Sequence, residues 1–413
     1  MNTTDGKLMS KWKRNAVIFL GSQTLSLFGS SLVQYAILWY ITLQSQSGIM
    51  MTIYIICGFI PTFILSPFGG VWADRYNRKF LIIVADGIIA AVTLFLAILF
   101  LSGYEAMWPL FLVSAIRALG AGIQGPAIGA ILPQFIPKDK LTKVNGANGS
   151  IQAVVTLISP MVSGALYSIT TIEMIFFIDV ITAILAISVL ILFLRIPAHE
   201  KAKEIQKISY FADMKLGLTY IKNHAFLKQL FAFLAIFFIL LAPVSFLTPL
   251  QVARSFGEDV WRLTAIEMAF AIGMILGGIV IASWGGFKNK IHTIGFSLFV
   301  FGFCTFALGI VPFFWIYLLL MGIAGISMPI LNTPAMTLLQ EKVDGDYLGR
   351  VFGVMNMIST SMMPLGMLIF GPISDYIKIE WLLIGTGLVM FFGTIPFIRN
   401  KMLVEAGKPV SES

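Results

Sequence analysis

Between two long apolar runs the chain reads Gly70-Val71-Trp72-Ala73-Asp74-Arg75-Tyr76-Asn77-Arg78-Lys79. Asp74, Arg75, Arg78 and Lys79 crowd into this stretch, whereas Ile49–Trp72 carries no charge and Phe80–Ser102 carries only Asp86. Each flanking run exceeds the roughly 20 residues a helix needs to cross a hydrocarbon layer about 30 Å thick, where every backbone polar group must bond internally. The quoted stretch is therefore a short turn between two membrane spans. Twelve segments meet the same length, six from Ala16–Tyr40 to Met174–Arg195 and six from Phe226–Val252 to Trp381–Ile398. The fold class that follows is an all-α polytopic membrane protein with twelve transmembrane helices.

Composition agrees. Of 413 residues, 58% are apolar and 12% charged, against about 25% charged in a soluble domain. A soluble enzyme, a disordered chain and a nucleic-acid binder are excluded. The first apolar run is long and lacks a small-residue cleavage site, so no cleaved leader is expected. Cys57 and Cys304 lie far apart inside apolar runs, and the three histidines lack metal-ligand spacing, so neither a disulfide framework nor a metal site is expected. No phosphate-binding Gly-x-x-x-x-Gly-Lys-Ser/Thr loop occurs, so no cofactor and no ATP are expected.

The net charge of +8 is unevenly spread. Of the 28 Lys and Arg residues, 24 fall on the side of both termini, three (Arg254, Arg262, Lys378) on the other, and Arg117 lies inside a span. Positive charge stays in the cytoplasm, so both termini of a multi-pass cell-membrane protein are expected there.

The longest break, 196–225, spaces Ile205, Ile208, Phe211, Met214, Leu218 and Ile221 helically between Lys203, Lys207, Lys215 and Lys222. This predicts a basic amphipathic helix along the cytoplasmic lipid surface. It separates an N-terminal six-helix bundle, 1–195, from a C-terminal one, 226–413. Shifted by 207 residues, Leu132, Asp139, Leu141, Val144, Gly146, Ile151 and Gly164 fall on Leu339, Asp346, Leu348, Val351, Gly353, Ile358 and Gly371. These are parallel repeats, and transporters built from such repeats bind substrate between the halves near the midplane.

Several residues carry candidate chemistry. Arg117 lies near the bilayer centre, where a cation costs several kcal/mol unless it faces water or a partner; a structural Arg bonded to carbonyls is the alternative. Asp86, Asp179 and Glu267 are acids inside spans. Such a carboxyl group can take up and release a proton according to its surroundings, or it can snorkel to the interface. Glu267 could also meet a cationic substrate. Gln23 and Gln34 in span one, with Met328, Met355 and Met362 in spans ten and eleven, are collective candidates for an adaptable substrate cavity.

The stretch 70–79 resembles the signature loop of the major facilitator superfamily, with Asn77 where that pattern has Gly. Asn tolerates a left-handed turn, which would preserve the loop. In the latch this loop suggests, Asp74 caps the positive N-terminal end of span eleven near Arg350, and Gly70, Arg75, Arg78 and Lys79 complete the motif; the alternative is that the cations only fix topology. Arg117-Ala-Leu-Gly120-Ala-Gly122 resembles the fourth-span motif of proton-coupled facilitators, in which the Arg is associated with proton transfer. Ser159-Pro160-Met-Val-Ser163-Gly164 resembles a worn antiporter motif of the fifth span.

Longer stretches, from Ile116 to Ala127 and from Gln340 to Phe352, are similar to the macrolide-efflux branch, the third drug–proton antiporter group. That resemblance implies a twelve-helix facilitator fold, proton/drug antiport, and macrolides as first substrate. The partners expected are protons, a small amphipathic substrate and the bilayer, in a monomer. Export of an endogenous amphiphile (siderophore or lysolipid) is one alternative. A non-transporting accessory subunit of an ATP-driven pump is another.

Overall fold

The structure is a computed structural model that describes residues 12–194, 196 and 210–408. Lys7, Lys11, Arg195, Lys203, Ile205, Lys207 and Ile208 lie outside it, as do the side chains of Phe211, Met214 and Lys215. Among the described residues every regular element is helical. The first six long helices are α1 (Trp12–Ser45), α2 (Gly48–Arg75), α3 (Arg78–Leu101), α4 (Trp108–Ile131), α5 (Leu141–Ile169) and α6 (Ile172–Phe193). After the short α7 (Tyr210–Asn223) come α8 (Ala225–Ala242), α9 (Thr248–Ser255), α10 (Val260–Trp284) and α11 (Lys290–Leu308). Then follow α12 (Phe314–Lys342), α13 (Gly345–Ile373), α14 (Ile379–Arg399) and the terminal α15 (Lys401–Ala406).

Among the described residues twelve spans are long and apolar enough to cross a membrane. The seventh, Ala225–Ser255, joins α8 to α9 through a π-helical turn at Pro243–Leu247. Pro243 has no N–H to close the preceding turn, and the backbone accommodates it by loosening to the wider spacing.

The chain forms two compact units. The first comprises 1–44 and 53–206; the second comprises 45–52 and 207–413. Both the start of α2 and the linker helix cluster with the second unit. In the first unit α3 packs between α4 and α6, and one end is closed by Phe19, Ile82, Ile131, Phe135 and Leu194. In the second unit α10 packs on α12 and α11 on α14.

The described part of the linker, α7, docks on the start of α13. Tyr220 and Ile221 are buried, and the Tyr220 ring stacks on Tyr347 at 4.4 Å. Its hydroxyl donates to Asp344 at 2.9 Å. Leu216 and Leu218 remain exposed. Aromatic stacking and a charge-assisted bond at a helix start hold the Tyr220 edge in place.

Candidate functional site

Antiparallel helices α3 and α4 carry polar residues at seven-residue spacing, Asp86 and Thr93 on one and Arg117 and Gln124 on the other. Seven residues are two helical turns, about 10 Å along the axis, so the four side chains form two rungs. In the lower rung Asp86 Oδ1 accepts from Ser26 Oγ at 2.6 Å and from Gln124 Nε2 at 2.7 Å. Its other oxygen, Oδ2, is buried and has no partner among the described residues.

The upper rung is charged. Arg117 Nη1 meets Asp179 Oδ2 at 2.5 Å and also donates to Thr93 Oγ1. Nη2 donates to the Ser30 carbonyl at 3.2 Å, and Ser30 Oγ donates to Asp179 Oδ1 at 3.3 Å. Ser26 and Ser30 stand one turn apart on α1, with Gly29 between. A Cβ on Gly29 would strike Thr182 and press on Asp179, so glycine is what lets α6 bring its acid this close. Asp86 and Asp179 are 2% and 0% exposed. The snorkelling alternative is overturned for both, because side-chain donors replace the water they would have sought.

The rest of the motif loop has a different character. Arg78 is buried and donates to Ala73 O at 2.7 Å, Ala130 O at 2.6 Å and Asp74 Oδ1 at 3.4 Å. Lys79 donates to Leu194 O at 2.8 Å. These two cations tie the end of α2 and the start of α3 to the carbonyl-rich ends of α4 and α6, where positive charge is favoured. Asp74 and Arg75 are exposed. Asn77 is not in a left-handed turn; at φ −65° it caps α3, accepting from Phe80 N at 3.3 Å. The sequence reading missed that role, although Asn is a preferred cap residue. A Cβ at Gly70 would meet nothing, whereas one at Gly69 would strike the Gly122 carbonyl. The constrained glycine is the neighbour of the one expected.

In α5, Ser163 Oγ donates to Leu32 O at 2.9 Å, joining the helix to α1. Ser159, Pro160 and Gly164 are buried beside it, and the Ser159 hydroxyl has no partner among the described residues.

Glu267 is half-buried in α10 and has no hydrogen-bond or ion-pair partner among the described residues. It shares a helix face with Met274, seven residues on, which is exposed, as are Ile272, Ile275 and Ile279. Among the cavity candidates Gln34 is exposed, Met328 and Met362 are half-buried, Gln23 is buried, and Met355 is packed within the second unit. Among the described residues no cluster of His, Cys, Asp and Glu could hold a metal.

Sequence reading singled out Arg117, Asp86 and Asp179 but passed over Thr93 and Gln124. Their seven-residue offsets from Asp86 and Arg117 were the available signal.

Residues 19–367 match the family model described as Major Facilitator Superfamily. Macrolide efflux protein A of Streptococcus pyogenes is 30% identical over 398 residues, 95% of this chain and 97% of that protein. Macrolide efflux protein A of Enterococcus faecalis is 31% identical over 75% of this chain and 96% of its own. The crystal structure of the nucleoside transporter NupG overlays with a TM-score of 0.65 at 15% identity, covering 95% of this chain and 99% of that one. At that identity the likeness concerns the fold alone.

Proposed function

The chain belongs to the major facilitator superfamily and is a multi-pass membrane transporter; from that premise we propose that it exports amphipathic compounds, macrolides first among them, in exchange for protons. Both termini face the cytoplasm of a cell-membrane protein, which works as a monomer by alternating access of its two six-helix halves. The similarity to macrolide efflux proteins along 95% of the chain supports the substrate.

The two-rung ladder supports the coupling, and it is the observation that carries the reading. Asp86 has one oxygen held by two donors and one buried oxygen held by none. A proton placed on Oδ2 displaces no protein contact. One rung away, Arg117 and Asp179 compensate each other. When a proton neutralises Asp179, the guanidinium loses its counter-charge and must seek another, and that exchange links protonation to helix movement. Glu267 is the acid of the second unit available to a proton or to a substrate cation. Asp74 is the latch residue for the N-terminal end of span eleven, while Arg78 and Lys79 hold its loop in shape.

The test is accumulation of a radiolabelled macrolide in efflux-deficient cells with and without the protein, before and after a protonophore. Lower accumulation that rises when the gradient collapses is the expected result. Equal accumulation in both cells would remove macrolides and turn the search to endogenous amphiphiles. Proteoliposomes containing this chain alone should acidify or alkalinise on substrate addition; no proton flux there would favour the accessory-subunit alternative.

A further inference from the structure

The partition into units cuts one long helix, α2, whose first turns belong to the second unit and whose remainder belongs to the first. What fastens those turns is a single carboxylate. Asp375, just past the end of α13, accepts from Gly48 N at 2.7 Å, Ile49 N at 3.1 Å and Ser47 Oγ at 2.7 Å. It also accepts from Arg254 Nη2 at 3.1 Å. Burial works against its charge, yet these four donors together hold the carboxyl below the usual range. Arg254 in turn donates to the carbonyls of Ser374 and Gln46. Arg254 is one of three basic residues on the face that is otherwise poor in them, and this cluster gives it a reason to be there.

Two further features show that the fastening is tight. A Cβ at Gly48 would strike Ser374 and the Gly371 carbonyl, and one at Gly371 would strike Thr52. Backbone therefore lies against backbone, and Thr52 adds a bond to Met367 O at 3.3 Å. Gln46 has φ 45°, the one non-glycine residue with positive φ among those described. Its side chain is held by Glu258 and its carbonyl by Arg254. Strained backbone of this kind persists only where surroundings over-determine it and clusters at sites that switch.

We propose that Asp375 and Arg254 form a releasable anchor for the start of α2, closing the transporter on the face opposite its termini and opening once in each transport cycle. The anchor repeats, at the other end of α2, the chemistry proposed for Asp74: a carboxylate seated on the positive end of a helix. Release costs the carboxylate its four donors, and relaxation of Gln46 offsets part of that cost. Both residues act as positioning residues. The inference rests on the reading of the chain as an exporter whose termini are cytoplasmic.

The test uses the full chain with Cys57→Ser and Cys304→Ala. Gln46→Cys and Glu258→Cys are joined by a reducible bifunctional thiol reagent. Export of labelled macrolide is expected to fall at least about tenfold in the bridged protein and to return on reduction. Export by the bridged protein at its reduced rate overturns the proposal, because the segment would then never leave its partners. A second arm needs no substrate. Thr52→Cys, buried at the anchor, is labelled from outside by a membrane-impermeant maleimide, alone and with Asp375→Ala. Loss of the carboxylate should raise the labelling rate about fivefold or more, with Asp375→Glu falling between; equal rates overturn the proposal. If the unbridged protein exports no macrolide, the substrate reading fails and the labelling arm still decides the anchor.

Discussion

In the first unit the helices meet across charge, with Arg117, Asp179, Asp86 and their hydroxyl and amide partners spanning α1, α3, α4 and α6. In the second unit α10 and α12 meet along a glycine seam. A Cβ on Gly273 would strike the Gly322 carbonyl, one on Gly277 the Ile326 carbonyl, and one on Gly325 the Phe270 carbonyl. The 207-residue shift between the repeats carries Arg117 onto Ala324 and Asp179 onto Thr386, both buried. The positions of the ion pair are thus filled in the second repeat by small uncharged residues. Small residues give close packing with a single good register; a buried ion pair gives an interaction whose strength changes when one proton arrives. The buried charge pair lies in the first unit, and the close α10–α12 seam lies in the second.

The sharpest way to break that comparison is to remove one charge of the pair. Asp179→Ala leaves Arg117 uncompensated and should cost about 3–5 kcal/mol, read as unfolding in mixed detergent. The double variant Arg117→Leu/Asp179→Leu should recover most of that stability while export stays lost. Recovered export in the double variant would make the pair structural only. Next in size, Gly325→Ala in the second unit should cost about 1–3 kcal/mol by forcing α10 and α12 apart. A neutral result there would mean the seam is looser than its geometry.

Asp86→Asn keeps an acceptor for Ser26 and Gln124, so its stability cost should be about 1 kcal/mol or less. Its effect should appear instead in export, which should lose its dependence on the proton gradient. Wild-type coupling in this variant would place the proton elsewhere, with Glu267→Gln the next variant to measure. Smallest of all, Gly70→Ala meets open space inside a helix and should change stability by less than about 1 kcal/mol, in the favourable direction. Gly69→Ala, one residue away, should be clearly destabilising.

Much of the architecture was legible in the chain because hydrocarbon imposes a length. Runs such as Ile49–Trp72 must be helices, and charged turns such as 74–79 must lie outside. Arg117 and the embedded acids stood out because ionised groups are rare and costly at that depth. Their partners did not stand out. Thr93, Gln124, Ser26 and Ser30 are ordinary polar residues until helix rotation aims them. Arg78 and Lys79 read as members of the loop motif, and only their carbonyl partners on α4 and α6 show them closing helix ends.

The sequence by itself determined twelve spans, their repeat and the charge asymmetry between faces, since these follow from composition averaged over about twenty residues at a time. Tertiary structure decided which acid Arg117 meets, which glycine is indispensable, and which unit owns the start of α2. The docking of α7 on α13 was decided there too. Each of these depends on the rotation of one helix against another, and on atoms 60 to more than 300 residues apart, such as Ser26 with Asp86 and Gly48 with Asp375. No local pattern along the chain encodes that rotation, because every face of a membrane helix is apolar enough to pack.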